Sequence, residues 1–501
     1  MAIILSLFKK GDLMKKTLVS MITVLLLFSG LSQRSYAMSD AQAEAIQSLL
    51  DDATRISGVP GLSVAILANE KEYYYSSGYA DLKKGIPASE NTLYELASVS
   101  KAFTGIGILL LEEQGRLSMT DSIHDYLPWL TLKYQGKPVD MQSLTLNNFL
   151  HHTSGLTNNR HAQLIPQGNT PDMLQKTVEV LVDTDLSFLP GKQYTYGTIN
   201  YDVLGLVIEQ VSGQSYESFM SEQVFQPLGL NQTFVYKEDA MATGQLAQGY
   251  RSSFFKTTPY NAPDYSGNKP AGYIISSTKD MARWMGIQMG IVKDIPEIFH
   301  TAIQKSHQGD RSVLAVDTMY YAAGWMVNTD QTIIEHSGEN PSFRTQVVLL
   351  PNEQTAICLL ANGANINTSM VLKIKDIVDG NLSQTYEISS AQLMDILLSI
   401  ATITCCLLTV LFFVLGFRRR KLNKKQQITK KRKIASFILL LVTAALSITG
   451  FALEWSIILV WETYSILTAL ISVTLLTASL AWLVYSGRYS RPLKYTLPLS
   501  T

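Results

Sequence analysis

The chain has 501 residues with 41 basic and 41 acidic side chains, so its formal charge at pH 7 is balanced. Of three cysteines only Cys358 precedes the C-terminal apolar region, which excludes an internal disulfide upstream and leaves that part to be held by its core alone. The sequence contains no His-Glu-x-x-His, no Gly-x-Ser-x-Gly elbow and no phosphate loop, so neither a metal nor another cofactor is expected.

In chain order, Lys15 and Lys16 precede an apolar stretch from Thr17 to Leu31, and Ser35-Tyr36-Ala37 offers the small residues a signal peptidase reads. Residues 1–37 are therefore expected to be a signal peptide or leader, cleaved after Ala37 or retained as an anchor, with Met14 an alternative start. Val59 to Leu67 reads as a buried strand and Glu72 to Gly78 as its hairpin partner.

Next comes Ser98-Val99-Ser100-Lys101, at the front of a helical run with apolar residues at Phe103, Ile106, Leu109 and Leu110 and a stop at Gly115. A serine hydroxyl is a poor nucleophile at neutral pH and needs a positioned base. On a helix a lysine three residues later lies on the same face, within reach of the serine oxygen. If the serine opens the helix, its backbone N–H and the helix dipole favour a developing oxyanion. Ser-x-x-Lys also occurs at Ser6, Ser253, Ser266 and Ser276, but only Ser98 is followed by a long apolar helix.

Leu117 to Leu130 reads as a loop and short helix, and Leu144 to about Val211 as mainly helical with long polar loops. Strands are expected at Tyr320–Asn328, Thr332–His336, Phe343–Leu350 and Ala356–Ala361. Strands at both ends with helices between predict an α/β (α+β) domain over 38–385: a sheet built from both termini, with an inserted helical lobe and a cleft between them. Tyr196 and His336-Ser337-Gly338 carry chemistry that can complete a serine-acylation site.

A polar tether, Asn381 to Gln392, leads into a region, 386–501, with three apolar segments near 396–417, 434–453 and 464–485. Each has about the ~20 residues a helix needs to cross a bilayer. Between the first two, residues 418–433 hold ten basic and no acidic side chains; flanked by apolar segments, this reads as a cytoplasmic loop rather than a nucleic-acid site. The domain before residue 396 then lies outside, and the tail with Arg488, Arg491 and Lys494 inside.

Over residues 55–365 the chain resembles the penicillin-recognising serine hydrolases, the branch of class C beta-lactamases, D,D-carboxypeptidases, D-aminopeptidases and related esterases. The resemblance rests on Val59-Pro60-Gly61, Ala97 to Lys101, Gly115 through Pro128, His152-Thr153-Ser154-Gly155-Leu156, Pro190-Gly191 with Tyr194 to Gly205, Pro227-Leu228-Gly229-Leu230, Pro270-Ala271-Gly272 through Trp284, and His336-Ser337-Gly338. It implies a beta-lactamase/D,D-peptidase-like antiparallel sheet flanked by helices. It further implies that Ser98 is the nucleophile and Lys101 the amine that activates it. Tyr196 would serve as acid and base, its pKa lowered by the charge of Lys101. His336-Ser337-Gly338 takes the place of a Lys-Thr-Gly strand, with Gly338 admitting substrate to the strand edge and the N–H of Glu339 joining that of Ser98 in an oxyanion hole.

His152 is read as a structural hydrogen-bonder. Where the family has Tyr-Ser-Asn this chain has Tyr196-Gly197-Thr198, so a carboxamide that would hold a substrate amide is replaced by a hydroxyl; Asn200 is two positions late. The expected function is an extracytoplasmic, membrane-anchored serine hydrolase acting on cell-wall D-amino-acid peptides or esters, or on beta-lactams. The alternatives are a sensor with a long-lived acyl-enzyme, or a degenerate binding module.

Overall fold

A computed structural model describes residues 38–157, 168–311, 313–422, 430–452 and 464–486. The expected leader, residues 1–37, lies outside the described residues. Helix α1 (Asp40–Ser57) opens on a Ser39/Gln42 capping box and ends at Gly58, whose left-handed φ of 72° turns the chain into the first strand.

One nine-stranded antiparallel sheet organises the domain. Its strands are β1 (Gly61–Ala68), β2 (Lys71–Asp81), β3 (Ile86–Pro87), β4 (Leu314–Val316), β5 (Met319–Tyr321), β6 (Met326–Asn328), β7 (Ile334–Asn340), β8 (Phe343–Leu350) and β9 (Thr355–Ala361), in the spatial order 4-5-6-7-8-9-1-2-3. The first strand of the chain thus pairs with the last, Leu62 opposite Ala361 through Ala68 opposite Thr355. The helical segments inserted between β3 and β4, among the described residues, follow the expected strand–helix–strand pattern.

Strand β1 is buried at every position because both sheet faces are covered. Leu62, Val64 and Ile66 pack with Ile46, Leu50 and Ala53 of α1 and Ile374 of α5 (Met370–Val378), while Ala65 and Leu67 join the larger core under the lobe. This is why the strand reads as a continuous apolar run rather than an alternating one. The lobe is centred on α2 (Ser100–Glu113), buried from Ser100 to Leu111, and on α3 (Ile199–Ser212). Phe103 of α2 stacks on Trp284, centroids 4.2 Å apart, which fixes the helix against α4 (Thr278–Gln288).

The strand expected over Tyr320–Asn328 is in fact the β5–β6 hairpin. Gly324 breaks it: with φ at +84° its missing Cβ leaves room for the backbone of Ala102, 2.3 Å from where that Cβ would stand. Conversely β7 runs on to Asn340, so His336-Ser337-Gly338 lies inside the strand rather than at its end.

The tether is tied down: Ser389 donates to the carbonyl of Asn365 and Gln392 to that of Ile56. Beyond it come α6 (Ser390–Leu422), α7 (Lys430–Ala452) and α8 (Tyr464–Tyr485). By length and composition α6 and α8 can each cross a membrane, whereas the described apolar run of α7, Ile434–Ala445, is shorter than a span. The described residues thus hold two candidate spans where the sequence predicts three.

Candidate active site

Strand Leu93–Glu95 runs into a 3₁₀ turn, Ala97–Val99, and only then into α2 at Ser100. Ser98 therefore stands one short turn ahead of the α-helix it was expected to open. Ala97 immediately before it is fully buried and held at a φ of 48°. That left-handed geometry costs a residue with a Cβ about 1–2 kcal/mol, and the surrounding contacts enforce it. Thr345 donates to the carbonyl of Leu96 at 2.7 Å, the amide of Leu96 donates to the carbonyl of Ile274 at 2.8 Å, and the amide of Ile274 donates to the Ser100 hydroxyl at 3.0 Å.

Lys101 is fully buried, its Nζ 3.2 Å from Ser98 Oγ and 2.7 Å from the carbonyl oxygen of Ala271. Burial lowers its pKa to about 7, against the opposing influence of Asp202. Burial likewise pushes the Asp202 carboxyl well above the usual carboxylate range. Near pH 7 a large part of Lys101 is therefore a free amine, whose lone pair can meet the Ser98 proton while an N–H stays on Ala271.

Tyr196 lies across the site, its ring centroid 5.0 Å from Lys101 Nζ. Its hydroxyl is buried with no partner at hydrogen-bonding geometry. Burial pushes the phenol up, and this outweighs the lowering influence of the nearby Ser98 hydroxyl. The lysine-lowered phenolate expected from sequence is not what the environment favours; Tyr196 is poised as a neutral O–H donor.

His336 accepts a hydrogen bond on Nε2 from the Tyr321 hydroxyl at 3.0 Å, and its Nδ1–H donates to the Ser337 carbonyl at 2.6 Å. Burial holds the ring neutral, with its pKa lowered to about 3. Both nitrogens are engaged, so His336 positions Tyr321 and the strand and is not a free acid or base.

Along β7 the residues alternate: His336, Gly338 and Asn340 are buried while Ser337 and Glu339 are exposed. The ladder to β6 ends at Glu335, so the edge of β7 beyond it has no strand beside it. The role expected of Gly338 needs correction. A Cβ there would stand 2.1 Å from Thr345 Oγ1 and 2.4 Å from the Leu96 carbonyl oxygen, so its missing side chain admits the Ser98 turn rather than substrate. Glu339 pairs with Arg344 on the facing strand.

A cavity of about 320 Å³ is lined by Ser98, Tyr194, Tyr196, Tyr321, Met326, His336, Ser337 and Glu339, with Lys101 behind Ser98. A second, of about 250 Å³ between Glu95, Lys237 and Gly249, contains none of the expected site residues. Ser98, the nucleophile expected from sequence, lines only the first of these two, which is therefore the candidate active site.

Thr198 is half-buried at the start of α3 and lines neither cavity. Asn200 turns inward, accepting from Ser154 at 2.6 Å and meeting His152 Nδ1 at 2.9 Å, so it does not stand in for the missing carboxamide. His152 is fully buried among Tyr194, Tyr196, Tyr201 and Tyr321, consistent with a structural role.

Three site groups had no clear signal in sequence. The Ala271 carbonyl acts through backbone, which no side-chain pattern reveals. Tyr321 sits in a run of small and aromatic residues without periodicity. Asn340, donating to the Gly272 carbonyl at 3.0 Å and to Glu95 at 2.8 Å, follows Gly338 by two and could be placed on the same face once the strand is extended.

The Beta-lactamase family model matches residues 46–381. Protein flp of Staphylococcus aureus (strain MW2) is 29% identical over 343 residues, 67% of this chain and 65% of that one. The match thus spans a little under two thirds of that relative's length. Penicillin-binding protein 4* of Bacillus subtilis (strain 168) is 27% identical over 348 residues, 65% of this chain and 73% of that one. Among solved structures, the octameric penicillin-binding protein homologue from Pyrococcus abyssi has a TM-score of 0.59 at 22% identity, covering 69% of this chain and 79% of that one. The beta-lactamase/D-alanine carboxypeptidase from Pseudomonas syringae has a TM-score of 0.57 at 22% identity, covering 68% and 99%. Both share the fold.

Proposed function

Since this chain belongs to the Beta-lactamase family, we propose that it is a serine hydrolase that forms an acyl-enzyme on Ser98, anchored in a membrane with its catalytic domain on the extracellular face. The observation that carries this reading is the fully buried Lys101 amine, 3.2 Å from Ser98 Oγ with its pKa lowered to about 7.

In the first half-reaction Ser98 Oγ attacks the substrate carbonyl carbon and its proton passes to Lys101 Nζ. The oxyanion is stabilised by the N–H groups of Ser98 and Glu339. Tyr196 gives its phenolic proton to the leaving group and is reprotonated from Lys101, so the serine proton ends on the leaving atom and the amine is free again. Water then attacks the acyl carbon while the same amine accepts its proton; the bond from that carbon to Ser98 Oγ breaks, the acid leaves, and Lys101 returns the proton to Ser98 Oγ.

The substrate class is a cell-wall D-amino-acid peptide or ester, or a beta-lactam, and the loss of the carboxamide at Thr198 favours esters. The test is reaction with a fluorescent penicillin followed by mass measurement of the Ser98 peptide. An adduct on Ser98 that turns over supports a hydrolase. A stable adduct with no turnover of any substrate favours the sensor, and no adduct at all favours a binding module.

A further inference from the structure

The Ser-x-x-Lys match at Ser253 has a structural meaning unrelated to catalysis. Strands Tyr250–Ser253 and Lys256–Pro259 form a hairpin in which Ser253 pairs with Lys256. Its two-residue turn is Phe254 at a φ of 53° and Phe255 at 59°, both left-handed. A turn with two left-handed central residues calls for Asn and Gly; two phenylalanines there work against the hairpin's own backbone. Nor does the fold bury what this costs, since Phe255 is 61% exposed.

The tip's position gives the aromatics a use. Ser253 Oγ is 3.1 Å from Ser465 Oγ at the start of α8, and the Phe254 amide donates to the same oxygen at 3.4 Å. Ser465 is fully buried and donates to Asp395, near the start of α6. The turn is thus pinned where the two helices able to cross a membrane leave the hydrolase domain. Leu393, Met394 and Leu397, all within two residues of Asp395 on α6, are exposed as well, so Phe255 is one of several exposed apolar side chains near this contact. Lys256 follows at the turn's exit, also exposed. Aromatic rings flanked by a basic residue are the groups that settle at a bilayer's headgroup boundary.

We propose that the Phe254–Phe255 turn is a lipid-binding anchor: Phe255 enters the headgroup boundary of the bilayer and fixes the hydrolase domain against the membrane beside α6 and α8. This rests on the membrane reading above, and the test separates the two. The full chain carrying Phe255→Trp is reconstituted in phosphatidylcholine vesicles brominated either near the headgroup or deep in the acyl chain, and its emission is read as the difference from the unsubstituted chain. Quenching of native Trp482 on α8, read as the difference between the unsubstituted chain and Trp482→Phe because the chain has six tryptophans, reports the helices.

Blue-shifted difference emission, quenched more by shallow than by deep bromine, is expected. If Trp482 is quenched but the introduced indole emits as in water, the anchor is overturned and the membrane reading stands. A blue-shifted but unquenched indole would mean that protein, such as a second copy, covers the tip, which also overturns it. With neither quenched, both fall. In detergent, Phe254→Asn/Phe255→Gly relieves the backbone and is expected to leave the thermal midpoint unchanged or raised. A lowered midpoint would assign the aromatics to the hairpin's own stability and count against the anchor.

Discussion

The amine of Lys101 is held by the carbonyl oxygen of Ala271 at 2.7 Å, a shorter contact than its 3.2 Å approach to Ser98. A carbonyl can only accept, so it occupies an amine hydrogen and turns the lone pair toward the serine. Among the described residues no ion pair holds Lys101 protonated, and the opposing influence on it is that of the Asp202 carboxyl. Segment Lys269–Gly272 is itself clamped to α2, since Thr104 donates to the Pro270 carbonyl at 2.6 Å. Ser98, Lys101 and the Ala271 carbonyl are therefore held together by one set of contacts.

The first consequence is a division of labour that substitution should expose. Ser98→Ala is expected to abolish covalent labelling by serine-directed probes, whereas Lys101→Met should retain the nucleophile and lower kcat/KM by roughly 10²–10⁴, the range of a general base. Mass spectrometry of labelled protein checks the first and ester hydrolysis the second. Labelling that survives Ser98→Ala would move the site elsewhere.

If Lys101 is the base, activity should rise with pH through about 7, because only the free amine can take the serine proton and burial lowers its pKa to that value. Below the midpoint the protonated ammonium has no lone pair for Ser98; above it the rate levels off. His336, lowered to about 3 by burial, adds no limb between pH 5 and 8. A kcat/KM profile over pH 5–9 with one acidic limb near 7 is expected. A midpoint near 10 would show that the lysine is not desolvated.

Gly338→Ala tests the packing of β7 against the nucleophile turn. The new methyl would collide with Thr345 Oγ1 and the Leu96 carbonyl, both held by the hydrogen bond between them. Overpacking of this kind costs about 1–3 kcal/mol, and the strain falls on Ala97 beside Ser98. Both the thermal midpoint and kcat should drop; an unchanged midpoint with lost activity would instead place Gly338 against substrate.

Topology turns on α7. Asp395 near the start of α6 meets Ser465 at the start of α8, so if both helices cross they enter from the same face and α7 must cross between them, leaving the ten basic residues of 418–433 and the C-terminus both inside. A reporter fused after Thr501 is expected to be active only in its cytoplasmic form, and activity of an external reporter would overturn the three-crossing reading.

What could be read from sequence follows the physics of each feature. The sheet was legible because β1 and β9 are nearly continuous apolar runs and β8 ends in one, Val347 to Leu350, as a doubly covered sheet accommodates, and α2 because an apolar helix follows Ser98. The Ser98–Lys101 proximity followed from helical spacing. Site electrostatics were not legible, because the pKa of Tyr196 and the engagement of both His336 nitrogens depend on burial and on Tyr321, fifteen residues away in sequence and on another strand. The role of Gly338 was misplaced for the same reason: a missing side chain shows that something comes close, and only the fold shows that it is Leu96 and Thr345.

The last prediction concerns substrate class. Thr198 precedes α3 with helical backbone angles and no side-chain cap hydrogen bond, so Thr198→Asn removes no cap and should fold as the parent does. It restores a carboxamide able to pair with a substrate amide, which an ester with its better leaving group needs less. The parent chain is expected to cleave a simple aryl or D-alanyl ester more efficiently than a cephalosporin, and Thr198→Asn to narrow that ratio mainly by raising kcat/KM for the cephalosporin. Because Asn200 is already committed to Ser154 and His152, it cannot supply the function in the parent. Cephalosporin turnover by the parent at rates equal to the ester would refute this account of Thr198.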